Sequence, residues 1–228
     1  MKAVCLISGG IDSPVAAQIA VNNGFQPFFL HYHNFPFHSP GTLEKVVILC
    51  NLFAKNNLEV PSSLTIMLHG KSQETILNSL ERNEISKTCL FCRIQMFIKA
   101  EAYANKINAD VIITGEILGE QASQTLDNLP IVISQVSKIA LRPLLGYNKE
   151  EVVQLSKKWG YYDTSILPGG CCSINPRYPE TKGRVTDVEE IFNRFSTRFK
   201  EVTKIELEEI HTYSLPVGIE SVLNDIEC

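Results

Sequence analysis

The chain has 228 residues, 44% of them apolar and 20% charged, with a formal net charge of −4. That is the composition of an ordinary globular protein, long enough for one α/β domain with a substantial core plus an appendage. No apolar run reaches membrane-spanning length, Met1-Lys2 leads straight into a strand with no leader pattern, and the acidic balance argues against a protein that grips a nucleic-acid backbone unaided. A cytoplasmic protein that touches no membrane is expected.

The first apolar run, Ala3 to Ile7, stops at Ser8-Gly9-Gly10, and a helical pattern follows. Gly9 and Gly10 permit positive φ and let backbone N–H groups approach a ligand. The unpaired N–H groups of the turn and the first helical turn suit an anion. No Gly-Lys-Ser/Thr follows, so this is not a Walker A loop. Such a loop suits a pyrophosphate that leaves with its metal: Asp12 is placed to help hold Mg²⁺, and Ser13 to cap the helix and bond a phosphate oxygen. The bland alternative is a turn that uses its glycines for geometry alone.

The pattern then predicts a helix from Pro14 to Gly24, a strand from Gln26 to Tyr32, and a loop from His33 to Gly41 broken by two prolines. A helix over Thr42 to Asn56, a strand over Ser63 to Leu68 and a short helix over Lys71 to Leu80 come next. Cys89 to Ile107 contains a long helix and Asp110 to Thr114 a strand. A glycine-bearing loop, Gly115 to Leu126, leads into a short helix. Ile139 to Leu144 reads as a strand, and Lys149 to Trp159 as a helix ended by Gly160. This alternation argues for a doubly wound, mostly parallel α/β sheet with helices on both faces. Ligands bind such sheets beyond the carboxyl ends of the strands, where the first loop, His31 to His33, Gly115-Glu116 and the segment after Leu141 would meet.

From Pro168 the regular pattern gives way to an irregular segment that includes Pro168-Gly169-Gly170-Cys171-Cys172 and runs to Gly183. Long loops of this kind tend to carry function. Val188, Phe192, Phe195, Phe199 and Val202 then recur at helical spacing. That amphipathic helix packs on its own domain or on a second copy in a homodimer, the former being favoured. The expected organisation is a domain over residues 1–183 and a C-terminal helical extension over 184–228.

Of the seven cysteines, Cys5 and Cys50 read as small core residues and terminal Cys228 carries no signal. Cys89-Leu90-Phe91-Cys92 is a C-x-x-C pair at a helix start beside Arg93, and a redox pair, half of a metal site and two buried thiols all compete as readings. Adjacent cysteines seldom bind one zinc ion together. Three protein thiolates are therefore the natural count: Cys89, Cys92 and one of Cys171 or Cys172. An iron–sulfur cluster with one open iron, a zinc site and free thiols all stay in play. His31, His33 and His38 read as loop histidines beside a nucleotide, and Asp127, Glu150 and Glu151 as solvated helix charges. Lys149 opens a helix, where a cation opposes the dipole, and that conflict hints at function.

The string Ser8 to Ala17 resembles the PP-loop of ATP pyrophosphatases, the adenine nucleotide alpha hydrolase-like fold. Further motifs follow in one order: His31-Tyr32-His33 with Phe35-Pro36-Phe37, Thr114 to Gly119, Ala122 to Leu126, Leu141-Arg142-Pro143-Leu144, and Tyr147-Asn148-Lys149-Glu150. Together, over roughly Lys2 to Gly183, they resemble the catalytic domain of the ThiI family, the tRNA 4-thiouridine synthetases. The resemblance implies that ATP adenylates the C4 oxygen of a tRNA uridine and that AMP leaves as sulfur attacks. It implies that Ser8, Gly9, Gly10, Asp12 and Ser13 bind the pyrophosphate, and that His31 and Tyr32 lie beside the adenine. It implies that Gly115 and Gln124 make further nucleotide contacts, that Arg93 and Lys149 serve the adenylation step, and that Cys171 carries sulfur. The pair Cys89 and Cys92 resembles that of archaeal-type members, in which it and a later cysteine, here Cys171 or Cys172, hold an iron–sulfur cluster.

The family's ferredoxin-like and THUMP regions, which grasp tRNA, and the rhodanese domain of some members have no counterpart in the sequence. A separate THUMP-bearing protein is therefore expected to present tRNA, with sulfide or a cysteine desulfurase as sulfur donor. A part in thiamine thiazole synthesis is not expected. Two alternatives stand beside this: the same chemistry on a small-molecule acceptor, and a nucleotide-binding subunit that has lost catalysis. The full set of chemical groups argues against the last.

Overall fold

The computed structural model describes residues 1–37, 41–169 and 172–226. Its frame is a sheet of six strands in the order β5-β4-β1-β2-β3-β6. The chain enters through β1 (Lys2–Leu6), α1 (Asp12–Asn22), β2 (Gln26–His33), α2 (Gly41–Asn56), β3 (Ser63–Leu68) and α3 (Gly70–Ser79). It continues through α4 (Thr88–Lys106), β4 (Val111–Ile113), α5 (Asn128–Val132), β5 (Ile139–Leu141), α6 (Lys149–Lys158) and α7 (Tyr162–Ser165). It closes with α8 (Val185–Glu208), β6 (His211–Ser214) and α9 (Ile219–Asp225).

Strand side chains alternate between the two faces, as the pleat requires. Ala3, Cys5, Phe29, Leu64, Ile66, Val111 and Ile113 enter one core, with α1, α2, α6 and α9 over it. Val4, Leu6, Leu30, Tyr32, Met67 and Ile112 enter the other, under α3, α4, α5 and α8. Both faces of the central strands are dry, which is why β1 reads as a continuous apolar run rather than an alternating one. The amphipathic C-terminal helix, α8, lies on its own domain: Val188, Ile191, Phe192 and Phe199 are buried in the second core.

Strand β1 pairs in parallel with β2 on one side and with β4 on the other. The chain therefore reverses its direction of progress across the sheet beside β1, and a crevice opens at the carboxyl ends of β1 and β4. The expected meeting of the first loop, the end of β2, Gly115-Glu116 and the residues after Leu141 is the arrangement found.

Two elements differ from expectation. The strand expected over 139–144 stops at Leu141, because Pro143 has no N–H to give to a ladder. The segment after residue 184 is not purely helical: β6 joins the sheet antiparallel to β3, from Ser63↔Ser214 to Ile66↔His211. Thr65 Oγ1 ties that edge, lying 2.9 Å from Thr212 Oγ1 and 2.6 Å from the Tyr103 hydroxyl.

Candidate active site

The crevice at the sheet's switch point holds a cleft of about 380 Å³. Its floor is the first loop. Gly9 has φ +80°, the left-handed turn that brings the chain from β1 into α1. The Ser8 N–H donates to Ser13 Oγ at 3.1 Å, and the two hydroxyl oxygens lie 3.3 Å apart. Ser13 therefore closes the loop rather than capping the helix as expected: it lies inside α1, whose N-cap position is Ile11 with no side-chain cap bond. The first-turn N–H groups of α1 stay available to an anion.

Gly115 packs directly on this turn. A Cβ there would lie 2.7 Å from the Asp12 carbonyl carbon and from the Ser13 nitrogen. Only glycine lets the segment after β4 cross the start of α1 so closely. Ser8, Gly10, Asp12, Ser13, His31, Tyr32, Arg93, Gly115 and Gln124, all singled out from sequence, line the cleft together.

His31 and His33 belong to β2 rather than to a loop, Tyr32 lies in that strand as expected, and His31 and Tyr32 are buried. His31 Nδ1 lies 2.9 Å from the Ile7 carbonyl, and the Tyr32 hydroxyl donates to the Met96 carbonyl. Their polar atoms thus tie the cleft wall together. His38 lies outside the described residues.

Lys149 does not line the cleft itself but reaches the cleft-lining Asp12 from the start of α6. Its Nζ donates to Asp12 Oδ1 at 2.8 Å and to Oδ2 at 3.0 Å, and stands 3.5 Å from Glu120. These carboxylates offset the unfavourable dipole at that position. Burial pushes the Asp12 carboxyl above the ordinary carboxylate range, with Lys149 pulling it back and Glu120 adding to the rise. Glu151 is exposed on the first turn of α6, as expected of a solvated helix charge, and is also the reciprocal partner of Asn148 in a capping box.

Behind Gly115 stands a charged clamp. Arg93 Nη2 donates to Glu116 Oε1 at 2.6 Å. Arg142 Nε donates to Glu116 Oε2 at 2.6 Å, and Thr114 Oγ1 donates to the same oxygen at 2.9 Å. Burial works to raise the Glu116 carboxyl, but the two guanidinium groups outweigh it and hold it below the usual range. Arg93 also stacks over Phe97, 5.3 Å from the ring centre.

A second chamber, of about 480 Å³, adjoins the cleft and is lined by Cys89, Cys92, Cys172, Gln73 and Asn175. Cys89 donates to Asn175 Oδ1 at 3.2 Å. Gln73 Nε2 donates to Cys172 Sγ at 3.6 Å and to Cys92 Sγ at 4.0 Å. Burial raises the Cys92 thiol to about 12, and Cys172 adds to the rise. Burial and Cys172 raise Cys89 as well. A bound cation would relieve the rise at Cys89 and Cys92, and soft thiolates suit zinc or an iron–sulfur cluster. Among the described residues no group of three His, Cys, Asp or Glu side chains is placed to hold one metal ion. Cys171, the expected sulfur carrier and third ligand, lies outside the described residues, as does Cys228. Cys5 and Cys50 are core residues as expected.

The cleft and the chamber share one wall: Ser8, Asn34, Arg93, Met96, Gln121 and Gln124 line both. Three polar atoms buried without a hydrogen-bond partner, Asn34 Oδ1, Arg93 Nε and Gln124 Oε1, belong to that wall. A fourth, Gln73 Oε1, belongs to the chamber. Among the described residues eight buried side-chain atoms lack a partner, and these four lie together on the wall and the chamber, while Ser62, Ser79, Gln95 and Ser156 carry the others; an unmatched buried group at a cleft suits a ligand or water that completes it. Sequence reasoning missed Asn34, Gln73 and Gln121, because polar residues in loops and helix ends carry no periodic signal.

A family model described as Thiamine biosynthesis protein (ThiI) matches residues 1–197. The chain belongs to the ThiI family. It is similar to a protein of Moorella thermoacetica named "Probable tRNA sulfurtransferase", with 37% identity over 190 residues, 82% of this chain and 47% of the relative. A Thermus thermophilus protein of the same name is 35% identical over 217 residues, 94% of this chain and 52% of the relative. The chain thus spans about half the length of the curated relatives it matches. A solved 4-thiouridine synthetase, in complex with RNA and with bound ATP, superposes with a TM-score of 0.87 at 30% identity, over 93% of this chain and 55% of that one. Among the described residues no helix is long and apolar enough to cross a membrane.

Proposed function

We propose that the chain is the catalytic part of an ATP-dependent tRNA sulfurtransferase that converts a uridine to 4-thiouridine. The observation that carries this is the shared wall: an anion-binding loop and a group of three thiols open onto the same buried, hydrogen-bond-deficient surface. A nucleotide-binding subunit needs the first chamber and has no use for the second. The relatives' names and the RNA- and ATP-bound structural match support the same reading.

In this account Ser8, Gly9, Gly10 and Ser13 cradle the pyrophosphate of ATP, and Asp12 helps hold Mg²⁺ against it. His31, Tyr32 and Gly115 shape the nucleotide wall. The uridine C4 oxygen attacks the α-phosphorus, the bond to pyrophosphate breaks, and Lys149 and Arg93 stabilise the charge that develops. A sulfur nucleophile then adds at C4, and AMP leaves with the former C4 oxygen. With sulfide as donor no electron is gained or lost overall.

Cys89, Cys92 and one of the Cys171–Cys172 pair would hold an iron–sulfur cluster; Cys89, Cys92 and Cys172 line the chamber. When bound, the cluster offers an open iron that can keep exogenous sulfide beside the wall. The protein residues exclude water and set the distance between sulfur and activated carbon. A separate THUMP-bearing protein presents the tRNA, which accords with the net charge of −4.

The test is the product of ATP turnover with tRNA and a THUMP-bearing partner under anaerobic conditions with sulfide. AMP and pyrophosphate in equal amounts, dependent on tRNA, support the proposal. ADP and phosphate, or turnover indifferent to tRNA but dependent on a small thiol acceptor, overturn it.

A further inference from the structure

Lys99 has a side chain with no solvent exposure in the middle of α4, a position where an ammonium needs a full set of partners. It has three. Nζ donates to Glu206 Oε2 at 2.7 Å and to Ser72 Oγ at 3.1 Å, and it contacts His69 Nδ1. Glu206, also fully buried, comes from α8 and accepts from the Ser72 hydroxyl at 2.6 Å and the Ser72 N–H at 3.1 Å. The Tyr32 ring covers the ammonium at 5.3 Å.

A lysine ammonium has three N–H groups and nothing to accept with. With Lys99 charged, as its ion pair with Glu206 implies, its third N–H is left for His69 Nδ1, which then accepts. The imidazole therefore carries its proton on Nε2. That nitrogen lies 3.3 Å from Cys92 Sγ. His69 is itself fully buried at the head of α3, so its ring cannot turn to water.

We propose that Glu206, Lys99 and His69 form a buried relay that fixes one imidazole tautomer and so places a permanent N–H donor on the Cys92 sulfur. It rests on the proposed function for the role of that sulfur. None of these residues touches the cleft, so they are positioning residues. The relay runs from α8, beyond residue 197 where the family match ends, to the chamber. An N–H donor on a ligating sulfur draws electron density from it and raises the reduction potential of the centre it holds.

The first test needs neither cluster nor substrate. In the full chain labelled with ¹⁵N-histidine, NMR should show His69, assigned by its loss in His69→Gln, protonated at Nε2 and unprotonated at Nδ1. An Nδ1–H tautomer, a doubly protonated ring or fast tautomer averaging overturns the relay. Lys99→Met combined with Glu206→Leu removes both buried charges together, and averaging of the two tautomers should then appear; an unchanged Nε2–H signal contradicts the proposal. In protein reconstituted with iron and sulfide, His69→Leu should lower the reduction potential while His69→Gln, which keeps an N–H, restores most of it. Equal potentials in all three proteins overturn the role assigned to the donor. Protein that takes up no iron refutes the cluster reading, and the tautomer measurement then decides the relay by itself.

Discussion

The Lys149 ammonium lies within 3.0 Å of both carboxylate oxygens of Asp12, bridging the start of α6 to the start of α1. The two residues are 137 positions apart, and their pairing brings the cation to the edge of the loop cleft. Asp12 is thereby kept more ionised than its burial alone would allow, since burial raises its carboxyl and Lys149 opposes that rise.

Lys149→Ala should therefore cut AMP formation by about a hundredfold, the usual scale for removing one stabiliser of developing charge. It should also move the acidic limb of the pH–rate profile to higher pH. Without Lys149, burial and Glu120 are left to favour the protonated, metal-incompetent Asp12. A profile whose acidic limb does not move would separate Lys149 from Asp12.

Gly115→Ala tests the packing of the loop. The new Cβ would meet main-chain atoms at 2.7 Å, and backbone cannot rotate away as a side chain can. The variant should lose about 1–3 kcal/mol of stability and at least about tenfold in ATP affinity, a 1.4 kcal/mol change. Denaturant unfolding and calorimetric titration with ATP measure both, and an unchanged ATP affinity would remove the loop from the nucleotide site.

Glu116→Gln tests the clamp. The change leaves two guanidinium groups facing a neutral amide, and breaking a buried pair of this kind costs about 3 kcal/mol at neutral pH. The folded Glu116 carboxyl titrates below its unfolded value. Its contribution to stability is therefore present above the unfolded pKa and lost as pH falls through the folded one. The gap between wild type and variant in denaturant midpoint should shrink as pH drops below the ordinary carboxylate range. A gap that is constant with pH would mean that the loss comes from packing and not from charge.

Gln124→Ala tests the unmatched wall. Gln124 Oε1 has no partner in the protein alone, so its removal should leave thermal stability unchanged or slightly higher. ATP affinity should fall by about tenfold if the nucleotide supplies the missing donor. A fall in stability with no change in affinity would show that the oxygen serves the fold instead.

The alternation of apolar strands and amphipathic helices made the parallel sheet readable, and the loop after β1 announced the crevice. The nine cleft-lining residues singled out in advance lie on elements whose order the pattern already fixed. Strand β6 was not readable: His211–Ser214 is four residues long, and it is a strand because β3 has a free edge. Ser13 was given the wrong local partner, since a serine after a glycine turn has two ordinary uses, capping the helix or closing the loop. The relay was invisible for a deeper reason. Glu206, Lys99 and His69 look like two helix surface charges and a loop histidine until the packing of α8 on α3 and α4 buries all three.

The most direct measurement of the central claim compares pyrophosphate release with 4-thiouridine formation in one anaerobic reaction, using wild type and Cys89→Ala with tRNA, a THUMP-bearing partner and sulfide. If the cleft adenylates and the chamber delivers sulfur, the variant should release pyrophosphate within about twofold of wild type and form no 4-thiouridine. Undiminished 4-thiouridine formation in the variant would contradict the account.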